Sequence, residues 1–198
     1  MSSATIDYYN RHAAEYVQST INVDMTALYA EFLPLIATGS HILDAGCGSG
    51  RDAAYFKQLG FTVSAFDASG ELAKIASQRL QQTVTVQQFE QLDEYEQYDG
   101  IWCCASLLHV ATDSLPSVFF RLQQALKPGG VLYMSFKYGD GEHDINGRRF
   151  TDMNDAELKK ILKNVATLSV IKTWLTQDQR ANRNHEVWFN ALVTKPAS

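Results

Sequence analysis

The stretch His41-Ile42-Leu43-Asp44-Ala45-Gly46-Cys47-Gly48-Ser49-Gly50-Arg51 reads as a short apolar strand that runs into a glycine-rich turn and then into a helix. Glycines at such a turn let the backbone reverse sharply, and they let a ligand approach main-chain N–H groups that a Cβ would shield. A nucleotide-like ligand is implied. The spacing departs from the dinucleotide fingerprint G-x-G-x-x-G. After Gly46 and Gly48 the third glycine falls early, at Gly50, and Arg51 stands where that fingerprint wants Gly or Ala. Nicotinamide binding is demoted accordingly.

Outward from this turn, strand-like and helix-like segments alternate. Short apolar runs at Ile42–Ala45, Thr62–Asp67, Val84–Val86, Ile101–Cys104 and Val131–Phe136 read as strands covered on both faces. Between them, Arg51–Leu59, Ser69–Leu80 and Asp113–Leu126 have helical spacing, the last with Leu115, Phe119, Leu122 and Leu126 on one stripe. This alternation is the signature of a parallel sheet. A further helix follows Asn154, a capping residue, with Glu157 at its third position and Leu158, Ile161, Leu162 and Val165 as its apolar stripe. The last two strand-like runs, Leu168–Leu175 and Glu186–Val193, have no crossover helix between them, so they are expected to pair antiparallel. The first forty residues read as two amphipathic helices, roughly Ile6–Gln18 and Asp24–Ile36, that cover the sheet and the mouth of a site.

Composition narrows the functional classes. The chain has 198 residues, 45% hydrophobic and 20% charged, as expected of one globular domain. No apolar run approaches the length needed to span a bilayer and the N-terminus is polar, so a cytoplasmic protein is expected. Cys47, Cys103 and Cys104 lie in or beside strand-like segments, which fits neither a disulfide scaffold nor a metal site. A net charge of −5 offers no global attraction for nucleic acid.

One strand and one helix beyond the glycine turn, Asp67 closes the second strand, placed to accept hydrogen bonds from both hydroxyls of a ribose. Together the Asp44-x-Gly46-x-Gly48-x-Gly50 motif and Asp67 resemble the class I S-adenosylmethionine (SAM)-dependent methyltransferases. Tyr98-Asp99-Gly100-Ile101-Trp102 is similar to that family's fourth strand, and Leu126-Lys127-Pro128-Gly129-Gly130-Val131-Leu132 to its turn into the fifth. The resemblance implies a Rossmann-like α/β fold: a seven-stranded, mostly parallel sheet with helices on both faces and an antiparallel C-terminal pair. Residues 1–38 would form a helical lid, 40–137 the cofactor-binding core, and 138–198 a substrate loop, helix and terminal strands. The same resemblance assigns SAM as cofactor. Asp44, Ala45, Gly46, Cys47, Gly48 and Gly50 would lie along its methionine portion and Arg51 at its carboxylate. Asp67 would hold the ribose and Phe89 flank the adenine, with Ala68 beside them, Cys104 and Ser106 after the fourth strand and Tyr16 from the lid completing the site.

The acceptor is less constrained. His109, Lys137, Tyr138, Arg148 and Arg149 are candidate catalytic or substrate-binding groups beyond the carboxyl ends of the strands, and Tyr8, Tyr9 and His12 stand with Tyr16 in the lid. Basic residues gathered after the fifth strand of an acidic chain point to a small anionic acceptor. Short runs such as Ala105-Ser106-Leu107-Leu108-His109-Val110 look similar to small bacterial tellurite-resistance-type methyltransferases. Two alternatives are weighed beside this: an NAD-dependent oxidoreductase, which the early Gly50 argues against, and a non-catalytic module that binds an adenosyl ligand.

Overall fold

The computed structural model describes residues 1–163, 165, 167–180, 183 and 185–197. Strand β1 (His41–Ala45) leads into the glycine turn. It pairs in parallel with β2 (Thr62–Asp67) on one side and with β4 (Tyr98–Cys103) on the other, and β3 (Thr85–Val86) lies outside β2. Strand β5 (Leu126–Lys137) continues in parallel beyond β4. Then β9 (Val187–Thr194) and β8 (Ser169–Gln177) close the sheet antiparallel, in the order β3-β2-β1-β4-β5-β9-β8.

This seven-stranded, mostly parallel α/β sheet is the one the sequence implies. Its strands are apolar on both faces because both faces are covered. Ile42, Trp102, Tyr133 and Leu192 enter one core layer, and Leu43, Ile101, Leu132 and Val193 the other. Helices α3 (Thr26–Phe32), α4 (Arg51–Gln58) and α5 (Gly70–Leu80) bury Tyr29, Phe32, Phe56 and Ala76 in the first layer. On the opposite side α6 (Leu115–Ala125) and α7 (Asp155–Leu162) bury Phe119, Leu122, Leu158 and Ile161. Among the described residues no helix is long and apolar enough to cross a membrane.

Four local expectations change. The first N-terminal helix is two, α1 (Ser3–Arg11) and α2 (Ala13–Thr20), because His12 leaves helical geometry (φ −112°) and its Nδ1 bonds the Tyr8 carbonyl. The second begins at Thr26 and tightens into a 3-10 turn over Leu33–Leu35, where Pro34 removes a donor. Part of the expected substrate loop after residue 138 is a hairpin, β6 (Glu142–Ile145) and β7 (Arg148–Thr151), turned by Asn146 and Gly147, both at positive φ. Helix α7 is capped by Asn154 as read, its Oδ1 accepting the N–H groups of Ala156 and Glu157, yet it ends before Val165, which packs into the core beyond the helix.

Candidate active site

The glycine turn has two sides. At Gly46 and Gly48 the backbone takes φ of +76° and +54°, a region that favours glycine. A Cβ on Gly46 would lie 2.5 Å from the Cβ of Ser106, and one on Gly48 would lie 3.0 Å from the Tyr16 ring. Gly50 faces the other way, where a Cβ would press on Ala76 of α5 at 3.1 Å. Its smallness serves the contact between α4 and α5. Asp44 is also behind the turn: its Oδ2 accepts the Ala53 N–H, and burial together with Asp52 holds its carboxyl well above the usual range.

At the end of β2, Asp67 accepts the Gly48 N–H on Oδ2 and the Ser69 N–H on Oδ1, each at 2.8 Å. Burial raises its pKa to about 6, against the lowering effect of these backbone bonds. Asp67 and Ala68 wall a narrow cleft of about 30 Å³ together with Gly46, Gly48, Ser106 and Phe89. Beside it opens a cavity of about 680 Å³, within the usual range for small-ligand sites. Tyr9, Tyr16, Ala105 and His109 line both spaces. Ala105, at their junction, is held at φ +51° with its N–H donated to Ser135 Oγ, a conformation an alanine adopts only under surrounding constraint.

A model of the methyltransferase-domain family matches residues 10–177, most of the chain and all of this site's core. The chain belongs to the methyltransferase-domain family. S-adenosylmethionine is the methyl donor of that family.

Other likenesses agree. Over 105 residues the chain is 33% identical to a ubiquinone biosynthesis O-methyltransferase of Xanthomonas oryzae pv. oryzae, covering 49% of this chain and 43% of that protein. It therefore spans less than half the length of the curated relatives it matches. Among solved structures, the N-methyltransferase NodS of Bradyrhizobium japonicum, in complex with S-adenosylhomocysteine, superposes with a TM-score of 0.75 at 17% identity, over 98% of this chain and 100% of that one. A TehB-like SAM-dependent methyltransferase of Corynebacterium glutamicum gives 0.72 at 21% identity, over 93% and 98%. At such identities these two speak for the fold alone.

The methyltransferase domain distributes its candidate residues unevenly. Gly46, Gly48, Asp67, Ala68, Phe89 and Ser106 wall the cleft, and Arg51 and Cys104 wall the cavity. Asp44, Ala45, Cys47 and Gly50 wall neither, since β1 side chains enter the core and the Ala45 carbonyl is taken by Ser106 Oγ. The arrangement fits SAM: the buried carboxylate of Asp67 for a ribose, a turn kept bare of Cβ atoms beside it, and Phe89 against the cleft. Arg51 lies on Asp52 through Nε and Nη2 and donates Nη1 to the Thr20 carbonyl, leaving one N–H on each terminal nitrogen for a carboxylate. Burial and Asp52 push the Cys104 thiol up to about 12, so it stays protonated.

On the acceptor side the basic residues separate. Lys137 pairs with Glu186, Arg180 with Asp178, and Arg183 with Glu186 at 3.4 Å. Arg149 turns out of the cavity towards Glu142, 3.5 Å away, and Tyr138 is 53% exposed and lines neither space, because successive residues at the end of β5 face opposite ways. Arg148 alone among the cavity's cations makes no ion pair with the described residues. Its guanidinium lies 4.3 Å from the Tyr8 ring centroid and 5.2 Å from that of Phe150, and its Nε is buried without a hydrogen-bond partner.

Asp52 carries a role that sequence reasoning missed. Its carboxylate receives Arg51, the Tyr29 hydroxyl at 2.6 Å and the Trp102 indole at 2.8 Å, which ties α3, α4 and β4 together beneath the cavity. Only its adjacency to Arg51 at a helix start signalled it. Asn10, whose Oδ1 accepts the Ser69 hydroxyl at 2.7 Å, was likewise unmarked, and it fastens α1 over the Asp67 end of the cleft.

Proposed function

We propose that the protein transfers the methyl group of SAM to a small anionic acceptor, with the adenosine in the cleft beside Asp67 and the acceptor in the larger cavity. Bound SAM supplies an electrophilic methyl carbon, so the protein's work is to orient the acceptor and exclude water. Asp67 would accept the ribose hydroxyls while still holding the Gly48 and Ser69 amides, and Tyr16 would cover the turn. The junction at Ala105, common to both spaces, is where acceptor and methyl group would meet.

The observation that carries the anionic reading is Arg148. Arg148 is half-buried with its Nε shut off from solvent and unpaired, and a ligand anion would supply the counter-ion that the described residues do not. The Tyr8 and Phe150 rings hold the guanidinium plane in place and add cation–π attraction. The test is methyl transfer from labelled SAM to a panel of carboxylate-bearing small molecules. Arg148→Ala is expected to reduce kcat/KM while SAM binding stays near wild type, and Arg149→Ala to change it little. Equal losses in both variants, or transfer confined to RNA or protein acceptors, would defeat the reading. A purely binding module would show SAM affinity and no turnover with any acceptor.

A further inference from the structure

We propose that His109 is the proton acceptor for a hydroxyl nucleophile, and that the Tyr9 hydroxyl occupies the place the acceptor's hydroxyl takes. The inference rests on the small anionic acceptor proposed above and names the atom that is methylated.

The geometry fixes the tautomer. His109 is 4% exposed, and its Nδ1 lies 2.6 Å from the Arg149 carbonyl oxygen. A carbonyl has no proton to give, so Nδ1 carries the hydrogen. Burial, with Arg148 and Lys137 nearby, lowers the ring's pKa to about 4, so the imidazole is neutral and Nε2 holds a lone pair. That lone pair meets the Tyr9 hydroxyl at 2.8 Å. Burial keeps the Tyr9 phenol protonated, so Tyr9 donates and His109 accepts. Both residues stand at the junction of the cleft and the cavity, and a neutral base is thus aimed where an acceptor O–H would enter. Arg149 contributes its main-chain carbonyl as a positioning group, whatever its side chain does.

The same facts select the nucleophile. An alkylamine acceptor would arrive as an ammonium, which Arg148 repels and which so weak a base cannot deprotonate, and a neutral arylamine attacks through its own lone pair and loses its proton only afterwards, so it needs no base in the step. A thiolate or a carboxylate needs no base at all. A hydroxyl becomes strongly acidic only as its new bond forms, so a lone pair already in place serves it best. In the step, the hydroxyl oxygen forms the C–O bond to the methyl carbon, and the C–S bond breaks with its electron pair going to sulfur. The hydroxyl proton goes to Nε2 and leaves afterwards to water.

The experiment uses 3- and 4-hydroxybenzoate and their thiol and amino counterparts with methyl-labelled SAM, matched to a cavity whose walls include Tyr8 and Phe150. Transfer to hydroxyl members is expected. His109→Gln should lower it about 10²–10⁴-fold with unchanged SAM affinity. Transfer only to the thiol or amino members, or full turnover in His109→Gln, overturns this proposal while leaving the anionic acceptor standing. Transfer to none of them overturns both. Should His109→Gln fail to fold, ¹⁵N-histidine NMR of the wild-type protein decides: Nδ1 protonated and Nε2 bare at neutral pH is expected, and a protonated Nε2 overturns the assignment.

Discussion

The carboxylate of Asp67 accepts the main-chain N–H of Gly48 at 2.8 Å, so the acid ending β2 is tied to the glycine turn ending β1. Two strands thereby fix one ligand-facing edge, and the acid's charge state bears on both. Burial lifts the Asp67 pKa from 3.8 to about 6. An acid raised on folding contributes stability that is full below about pH 4 and lost as pH climbs through 6. Under the proposed ribose role of Asp67, cofactor binding runs the opposite way, because two ribose hydroxyls need the ionised form. The increase in Tm given by saturating SAM is therefore expected to be larger at pH 8 than at pH 5. Asp67→Ala should weaken SAM binding by about 1.5–3 kcal/mol and flatten that pH dependence. An unchanged calorimetric Kd in a folded variant would assign Asp67 to local structure alone.

Gly50 and Gly48 of the turn should differ on substitution. Gly50→Ala forces a Cβ against Ala76 at a positive φ and is expected to cost about 1–3 kcal/mol in denaturant unfolding, with little change in SAM affinity of the folded fraction. Gly48→Ala is strained by its positive φ but meets only the Tyr16 ring and hydroxyl, a side chain that can give, so a smaller stability cost should come with weaker SAM binding.

Asp52 bears a different load. Replacing it by Ala strands the Arg51 guanidinium, the Tyr29 hydroxyl and the Trp102 indole in the interior together. Breaking a buried pair of this kind costs about 3–5 kcal/mol. Thermal and denaturant unfolding should register that loss, whereas Asp52→Asn, which keeps an acceptor for part of the network, should lose less.

Helix α1 sits low over the cofactor cleft, held by Asn10 on Ser69, by Thr5 accepting the Arg149 N–H at 3.1 Å, and by Tyr9 on His109. In the proposed binding mode a nucleoside, too large for a cleft of about 30 Å³, enters as α1 lifts. Asn10→Ala is expected to raise both association and dissociation rates for SAM in stopped-flow binding. Equal decreases in both would show that the contact does not gate entry.

Much of this was legible in the residues. The strands announce themselves because they are apolar on both faces, and the antiparallel ending follows from a missing crossover helix between Leu175 and Glu186. The hairpin at 142–151 carried its own signal in Asn146-Gly147, yet it reads as loop because its strands are short and polar. Within the basic cluster, sequence could not divide Arg148 from Arg149. Which one enters the cavity depends on strand pleat and on whether Glu142 across the hairpin claims a partner. Nor could it show the tautomer of His109, which is set by a carbonyl forty positions away.

Equilibrium titration of the purified protein with SAM and, separately, with NAD tests the central claim most directly. One SAM bound per chain, weakened in Asp67→Ala, with no measurable NAD binding is the expected result. Tight NAD binding without SAM binding would contradict the account.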